Sequence, residues 1–124
     1  MPGQIVHFEI PADDTAQGRE FWGSMFGWQF QSFPGPFEYH MTQVSDQTGG
    51  AITDMEPGKN CIRVYFAVDD INAGAARARE LGGEANEPQP VPQMGWFSVC
   101  KDPQGNDFGI WQNDPSAPGE MPQS

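Results

Sequence analysis

"IVHFEIPADD" (residues 5–14) and "CIRVYFAVDD" (residues 61–70) stand 56 positions apart, and laid one over the other they decide the fold. Each is a run that alternates by twos, closes on an acidic pair and leads into a segment with helical spacing. In the first, Val6, Phe8 and Ile10 share one face, and Ile5, His7 and Glu9 the other. In the second, Ile62, Val64, Phe66 and Val68 oppose Cys61, Arg63, Tyr65 and Ala67. Side chains alternate along a strand, so each run has an apolar face that needs cover and a mixed face. His7 and Glu9 on one face have three readings: part of a metal site, a base with its helper, or the wet side of a half-buried strand.

The cover comes next in the chain. Gly18, Phe21, Trp22, Met25 and Phe26 recur at helical spacing, and Ile71, Ala75, Ala78 and Leu81 form a weaker stripe. Phe21, Trp22, Phe26 and Trp28 are therefore read as core. Asp13 or Asp14, and Asp69 or Asp70, are placed to cap the helix starts, while Gly27 and Gly82 or Gly83 suit the left-handed turns that end them. "FEYHMTQV" (37–44) and "GGAITDM" (49–55) follow the first helix; "GWFSVCK" (95–101) and "NDFGIWQ" (106–112) follow the second. Weaker strands fall near Trp28–Ser32 and Glu84–Glu87. "DPQG" (102–105) predicts a tight hairpin between the last two strands. The pattern is a strand, a helix and about three strands, repeated: a single α+β domain with modules at 1–56 and 60–112. "MEPGKN" (55–60) is the expected linker, and the proline-rich 113–124 a loose tail.

Composition narrows the function. The 124 residues fit one domain with an ordinary core, and the formal charge is -11 with a pI near 4.2. So acidic a surface repels phosphate backbones, and no basic cluster interrupts it, which argues against nucleic-acid binding. No apolar run approaches a membrane span and the first ten residues lack a leader pattern, so a cytoplasmic location is expected. Cys61 and Cys100 form no CxxC pair and are read as two reduced thiols in a strand-rich core.

This arrangement resembles the vicinal oxygen chelate superfamily, the glyoxalase, bleomycin-resistance and extradiol-dioxygenase group. The resemblance is carried by His7, by "ADD" (12–14), by "FWGSMFGW" (21–28) with Trp22 in place of the usual Tyr, by "VDD" (68–70) and by "KDPQGNDFGIWQ" (101–112). It implies paired βαβββ modules forming a cup-shaped eight-stranded sheet around a small-molecule cavity. In metal-dependent members, one residue from the first and one from the last strand of each module hold a divalent ion. Those positions fall here on His7, on Arg63, on Gly109 and within Ala51–Thr53. One donor of four is present, Arg63 adds a fixed cation, and such ions need three or four converging donors. Neither a divalent metal nor another cofactor is expected. A non-standard site would have to join His7 with Glu9 or Asp107, or use Asp54.

The faces turned into the cup are expected to carry Ile5, His7 and Glu9; Cys61, Arg63 and Tyr65; Asp107, Gly109 and Trp111; and Trp96 with Ser98. The strand at 37–44 adds either Tyr39, Met41 and Gln43 or the opposite set with His40. His7 and Glu9 are the catalytic candidates; Arg63, Tyr65, Tyr39, Met41, Trp96 and Trp111 are the ligand-binding candidates. Three functions stay open. The first is metal-free binding of a small organic molecule, as in sequestration by resistance-type relatives. The second is a lyase, isomerase or dioxygenase-like enzyme with His7 as base. The third is a structural role with the cup filled by its own aromatics. A homodimer is expected from the resemblance.

Overall fold

The computed structural model describes residues 2–54 and 61–119, so the expected linker at 55–60 and the last five residues lie outside it. The described residues form two compact units, one of residues 7–54 with 61–63 and one of residues 2–6 with 64–119.

The N-terminal unit contains β1 (Ile5–Pro11, from His7 on), α1 (Thr15–Phe26), β2 (Gln31–Ser32), β3 (Tyr39–Gln43) and β4 (Gly49–Thr53). β4 runs parallel to β1 and antiparallel to β3, which pairs antiparallel with β2. The C-terminal unit repeats this order. It holds β5 (Arg63–Ala67, from Val64 on), α2 (Ile71–Glu80), β6 (Glu84–Ala85), β7 (Gln89–Val91), β8 (Gly95–Lys101) and β9 (Asp107–Asn113). β9 is parallel to β5 and antiparallel to β8, and β8 carries both β6 and the additional short β7. The α+β class and the paired βαβββ modules are thus present. Among the described residues no helix is long and apolar enough to cross a membrane.

The punctuation is local chemistry. Asp14 and Asp70 are the caps: Asp14 accepts from the Gln17 N–H, and Asp70 from those of Asn72 and Ala73. Gly27 at φ 73° and Gly82 at φ 93° take the left-handed turns that end the helices, a conformation costly for residues with a Cβ. In the hairpin, Asp102 Oδ1 accepts from the Gln104 and Asn106 N–H groups. That multiple donation pulls the Asp102 carboxyl below its ordinary range, with the Asn106 side chain as the largest cause.

Packing holds the helices to one face of each sheet. Ile71 and Ala75 of α2 meet Cys100 and Ile110, with Val68, Ala85, Trp96 and Phe108 around them. Each large aliphatic side chain so buried contributes about 1.5–3 kcal/mol. In the N-terminal unit α1 sits close over Ile52, because Gly18 has no side chain: a Cβ there would stand 3.3 Å from Ile52 Cγ2.

The expected core stripe of α1 is corrected. Thr15, Gly18 and Trp22 share the seat at i, i+3 and i+7, and Phe21 and Met25 lie round the cylinder from it. Phe21, Met25 and Phe26 are more than half exposed. Trp22 stacks on Trp28 (interplanar angle 9°), and Trp28 in turn packs against Phe8. Two smaller corrections concern Cys61 and the tail. Cys61 is exposed and only Cys100 lies in the core. Residues 113–119 are tied down rather than loose: Ala117 is buried and accepts from the Gln93 N–H, and Asp114 takes the Trp96 indole N–H at 3.0 Å.

Candidate functional site

In the N-terminal unit, register decides which side chains meet. Residues paired across neighbouring strands share a face, so His7, Gly49 and Gln43 form one row and Glu9, Ala51 and Met41 the next. Thr53 and Tyr39 make the third. This fixes the open choice on β3: Tyr39, Met41 and Gln43 accompany His7 and Glu9, and His40 goes to the other face.

β3 and β1 are separated by β4, about 10 Å in all at the usual strand spacing. Tyr39, opposite Thr53, reaches across that gap toward the rows of Glu9 and His7, where β4 presents only Ala51 and Gly49. Its hydroxyl donates to Glu9 Oε2 at 2.8 Å and lies 2.6 Å from His7 Nε2. Arg63, the first residue of β5 and a member of this unit, places Nη1 3.5 Å from Glu9 Oε1. The two side chains are only 11% and 15% exposed, so their charges are largely withdrawn from water.

Proton accounting fixes the imidazole. A carboxylate only accepts, so the single Tyr39 proton goes to Glu9 and the phenol oxygen accepts from His7 Nε2–H. The neutral ring then carries its lone pair on Nδ1. Burial holds the His7 pKa below its usual 6.5, and the Glu9 charge opposes that only in part. The quartet is therefore a neutral imidazole, a phenol and a carboxylate–guanidinium pair, joined in a chain.

The other candidates lie in the C-terminal unit. Tyr65 pairs with Gly109 across β5 and β9, and Trp111 shares that face. Trp111 donates to Asn113 Oδ1 at 2.6 Å and covers Gly95, where a Cβ would stand 2.5 Å from its ring. Asp107 is bound to Lys101. Trp96 departs from expectation. It pairs with Gln112, two steps from Ser98 opposite Ile110, which places both on the face that packs against α2. Trp96 is a core residue whose N–H is taken by Asp114, and Ser98 Oγ donates to Asn86 O at 2.7 Å.

One network was not anticipated. On the helix side, His40 lies 3.0 Å from Ser32 Oγ through Nδ1 and 3.2 Å from Glu38 Oε1 through Nε2. Glu38 also accepts from Thr15 Oγ1 at 2.6 Å, tying the start of α1 to the sheet. The Thr15 bond, then that from His40, lowers the Glu38 pKa. The parity of His40 was the signal that the sequence left undecided.

The family's metal positions can now be tested by donor. His7 is engaged with Tyr39, Arg63 is a cation, and Ala51–Thr53 supplies two apolar side chains and one hydroxyl. At position 109 a Cβ would stand 2.2 Å from Tyr65 Cδ2. The substitutes are no better, since Asp54 accepts from the Glu38 N–H and Asp107 holds Lys101. Among the described residues no group of three or more His, Cys, Asp or Glu is arranged to hold an ion. These residues do not fit the divalent metal.

The family model of the glyoxalase-like domain matches residues 6–111. This chain belongs to the glyoxalase-like domain family. The glyoxalase-like chain is 40% identical over 118 residues to a Mycobacterium tuberculosis protein provisionally named glyoxylase CFP32, covering 91% of this chain and 45% of that protein. It is 28% identical to the anthracycline biosynthesis protein DnrV of Streptomyces peucetius, covering 90% and 47%. The chain thus spans less than half the length of these curated relatives. Among solved structures, BH1468 of Bacillus halodurans superposes with a TM-score of 0.74 at 11% identity, covering 94% of this chain and 99% of that one. A Streptomyces coelicolor methylmalonyl-CoA epimerase does so at 0.70 and 16% identity, covering 96% and 100%. At such identities these two structures speak for the fold, that of the vicinal oxygen chelate superfamily.

Proposed function

We propose that this glyoxalase-like domain binds a small organic molecule on the His7–Glu9–Tyr39–Arg63 face, without the divalent metal of its metal-dependent relatives. The observation that carries the reading is the quartet itself. Four hydrogen-bonding side chains, half-buried, stand on a face whose other members are uncharged, Gly49, Ala51 and Met41 with Gln43 and Thr53. Pockets for organic ligands combine mainly apolar lining with a few placed polar groups. A relative named for anthracycline biosynthesis is in keeping with a role in small-molecule metabolism.

Two measurements test it together. Tag-free protein is assayed for bound metal, and stoichiometric zinc, nickel, manganese or iron would overturn the metal-free half. A thermal-shift screen of small organic compounds is then run on wild type and on Tyr39→Phe; stabilisation of wild type that weakens in the variant is the expected result.

A second reading, an enzyme, is favoured by one observation: a neutral imidazole linked through Tyr39 to a carboxylate is the protonation state a general base needs. In that case His7→Ala abolishes turnover while the fold persists. Pairing of two copies belongs to the same reading and is tested by sedimentation. A cytoplasmic setting accords with two free thiols.

A further inference from the structure

The hairpin that places Tyr39 on one face of the sheet places a second constellation on the other. β2 pairs antiparallel with β3 so that Ser32 lies opposite His40, and residues paired in this way share a face. Glu38, two residues before His40, comes to the same side. A hydroxyl, an imidazole and a carboxylate then stand in line. Ser32 Oγ lies 3.0 Å from His40 Nδ1, and His40 Nε2 lies 3.2 Å from Glu38 Oε1. Ser32 is exposed, whereas the His40 side chain is only 10% exposed.

Proton accounting gives the line a direction. A carboxylate only accepts, so Glu38 takes the Thr15 hydroxyl proton at 2.6 Å and, with the ring neutral, the Nε2–H of His40. The Thr15 bond, then that from His40, holds the Glu38 carboxyl below its ordinary 4.5, so it is ionised at neutral pH. The lone pair of the ring is left on Nδ1, where it accepts from the Ser32 hydroxyl. This is the polarity of an activated nucleophile: a hydroxyl donates to a base, and the base donates to a group that orients it. The line is also held still. Pro34 and Pro36 fix φ twice in the connection between β2 and β3, and the Glu38 N–H donates to Asp54 Oδ1 at 3.1 Å. A network that only ties α1 to the sheet needs Thr15 and Glu38. It has no use for an exposed serine at the outer end.

We propose that Ser32 is an acyl-accepting nucleophile for carboxylic esters of phenols and similarly acidic alcohols, with His40 as its base and Glu38 as a positioning residue. This activity lies on the opposite face from the His7 quartet and is independent of the binding reading. Ser32 Oγ bonds to the ester carbonyl carbon while its proton passes to His40 Nδ1. The carbon–oxygen bond to the leaving group breaks, and the phenol departs with that proton. Water attacks the acyl group by the same route, releasing the carboxylic acid and restoring Ser32. Phenols suit the line because they leave readily as anions and ask little of the imidazole as an acid.

The test uses p-nitrophenyl acetate with the full chain at neutral pH, and mass spectrometry follows the acetyl group on the peptide containing Ser32. Wild type is expected to acquire that label at least tenfold faster when folded than when unfolded in urea. Ser32→Ala should lose it, and Ser32→Cys, which keeps a nucleophile in place, should retain it. Ser32 is exposed, so neither change threatens the fold. His40→Gln and Glu38→Leu should each slow labelling at least tenfold, with circular dichroism reporting the fold. Nitrogen-15 NMR should show His40 protonated on Nε2 in wild type and mixed tautomers in Glu38→Leu, a readout specific to positioning of the ring. Absence of acetyl on Ser32, or equal labelling of folded and unfolded chain, overturns the proposal. Unslowed labelling in a folded His40→Gln protein overturns it as well.

Discussion

The Tyr65 ring occupies the space in which a side chain at Gly109 would begin: a Cβ there would stand 2.2 Å from Tyr65 Cδ2. The position that gives a metal ligand in metal-dependent relatives is thus closed by its own cross-strand neighbour, which is 5% exposed. Restoring a donor at 109 by one substitution therefore has to displace the Tyr65 ring. Gly109→Ala is expected to lower stability by about 1–3 kcal/mol, the usual range for overpacking. In a Tyr65→Ala background the same change should be nearly neutral, a coupling of the size seen between touching residues. Urea unfolding of the four proteins in this cycle measures it, and additive effects would show that the ring is not the obstacle.

His7 should make stability depend on pH. Its folded pKa lies below the ordinary 6.5, with burial as the main cause. Below that ordinary value the unfolded chain takes up the proton more readily than the folded one. The His7 contribution is therefore complete above about pH 6.5 and is lost progressively as pH falls through the folded pKa. Between pH 7.5 and 5.5 the urea midpoint of wild type should drop, and His7→Gln should flatten that drop. The lowered carboxyls Glu38, Asp102 and Asp114 act in a more acidic range, below their ordinary values of 4.5, 3.8 and 3.8. An equal slope in His7→Gln would remove His7 as its source.

The proton order along the quartet is directly observable. If Tyr39 donates to Glu9 and accepts from His7, nitrogen-15 NMR at pH 7.5 should show His7 protonated on Nε2 with an unprotonated Nδ1. Tyr39→Phe removes the link and should let the tautomers mix. It should also cost about 1–3 kcal/mol, since a part-buried carboxylate loses a donor. Finding Nδ1–H in wild type would mean that the phenol proton points to the imidazole, and that Glu9 is held by other partners.

Much of this was legible from alternation and repeats alone. His7 and Glu9 share a face because they are two residues apart, and the 56-residue offset set Arg63 at the position equivalent to His7, where the structure pairs it with Glu9. Asp14 and Asp70 could be narrowed only to acidic pairs, because either member of a pair satisfies a helix start. The sequence failed where a periodic pattern has no fixed zero. The α1 stripe is genuinely helical, yet close approach at Gly18 sets the seat, leaving Phe21 and Met25 outside it. Trp96 was misplaced because β8 is apolar on both faces, so its parity needs the pairing with β9 to be known. His40 shows the same ambiguity on β3, where Tyr and His alternate and both have polar atoms to satisfy.

Gln93 offers a test of backbone strain away from the site. It is the non-glycine residue found at positive φ, 64°, among the described residues, in the turn between β7 and β8. Its N–H donates to Ala117 O, which holds the turn against residues 113–119. A side chain in the left-handed region costs about 1–2 kcal/mol, and that cost vanishes for glycine. Glycine also loosens the unfolded chain, which returns about 0.4–1 kcal/mol of the gain. Gln93→Gly should therefore be no less stable than wild type and up to about 1.6 kcal/mol more stable. Gln93→Val, whose branched side chain tolerates this conformation least, should be clearly less stable. Thermal unfolding of the three proteins ranks them, and a valine variant as stable as the glycine one would mean the turn relaxes out of positive φ.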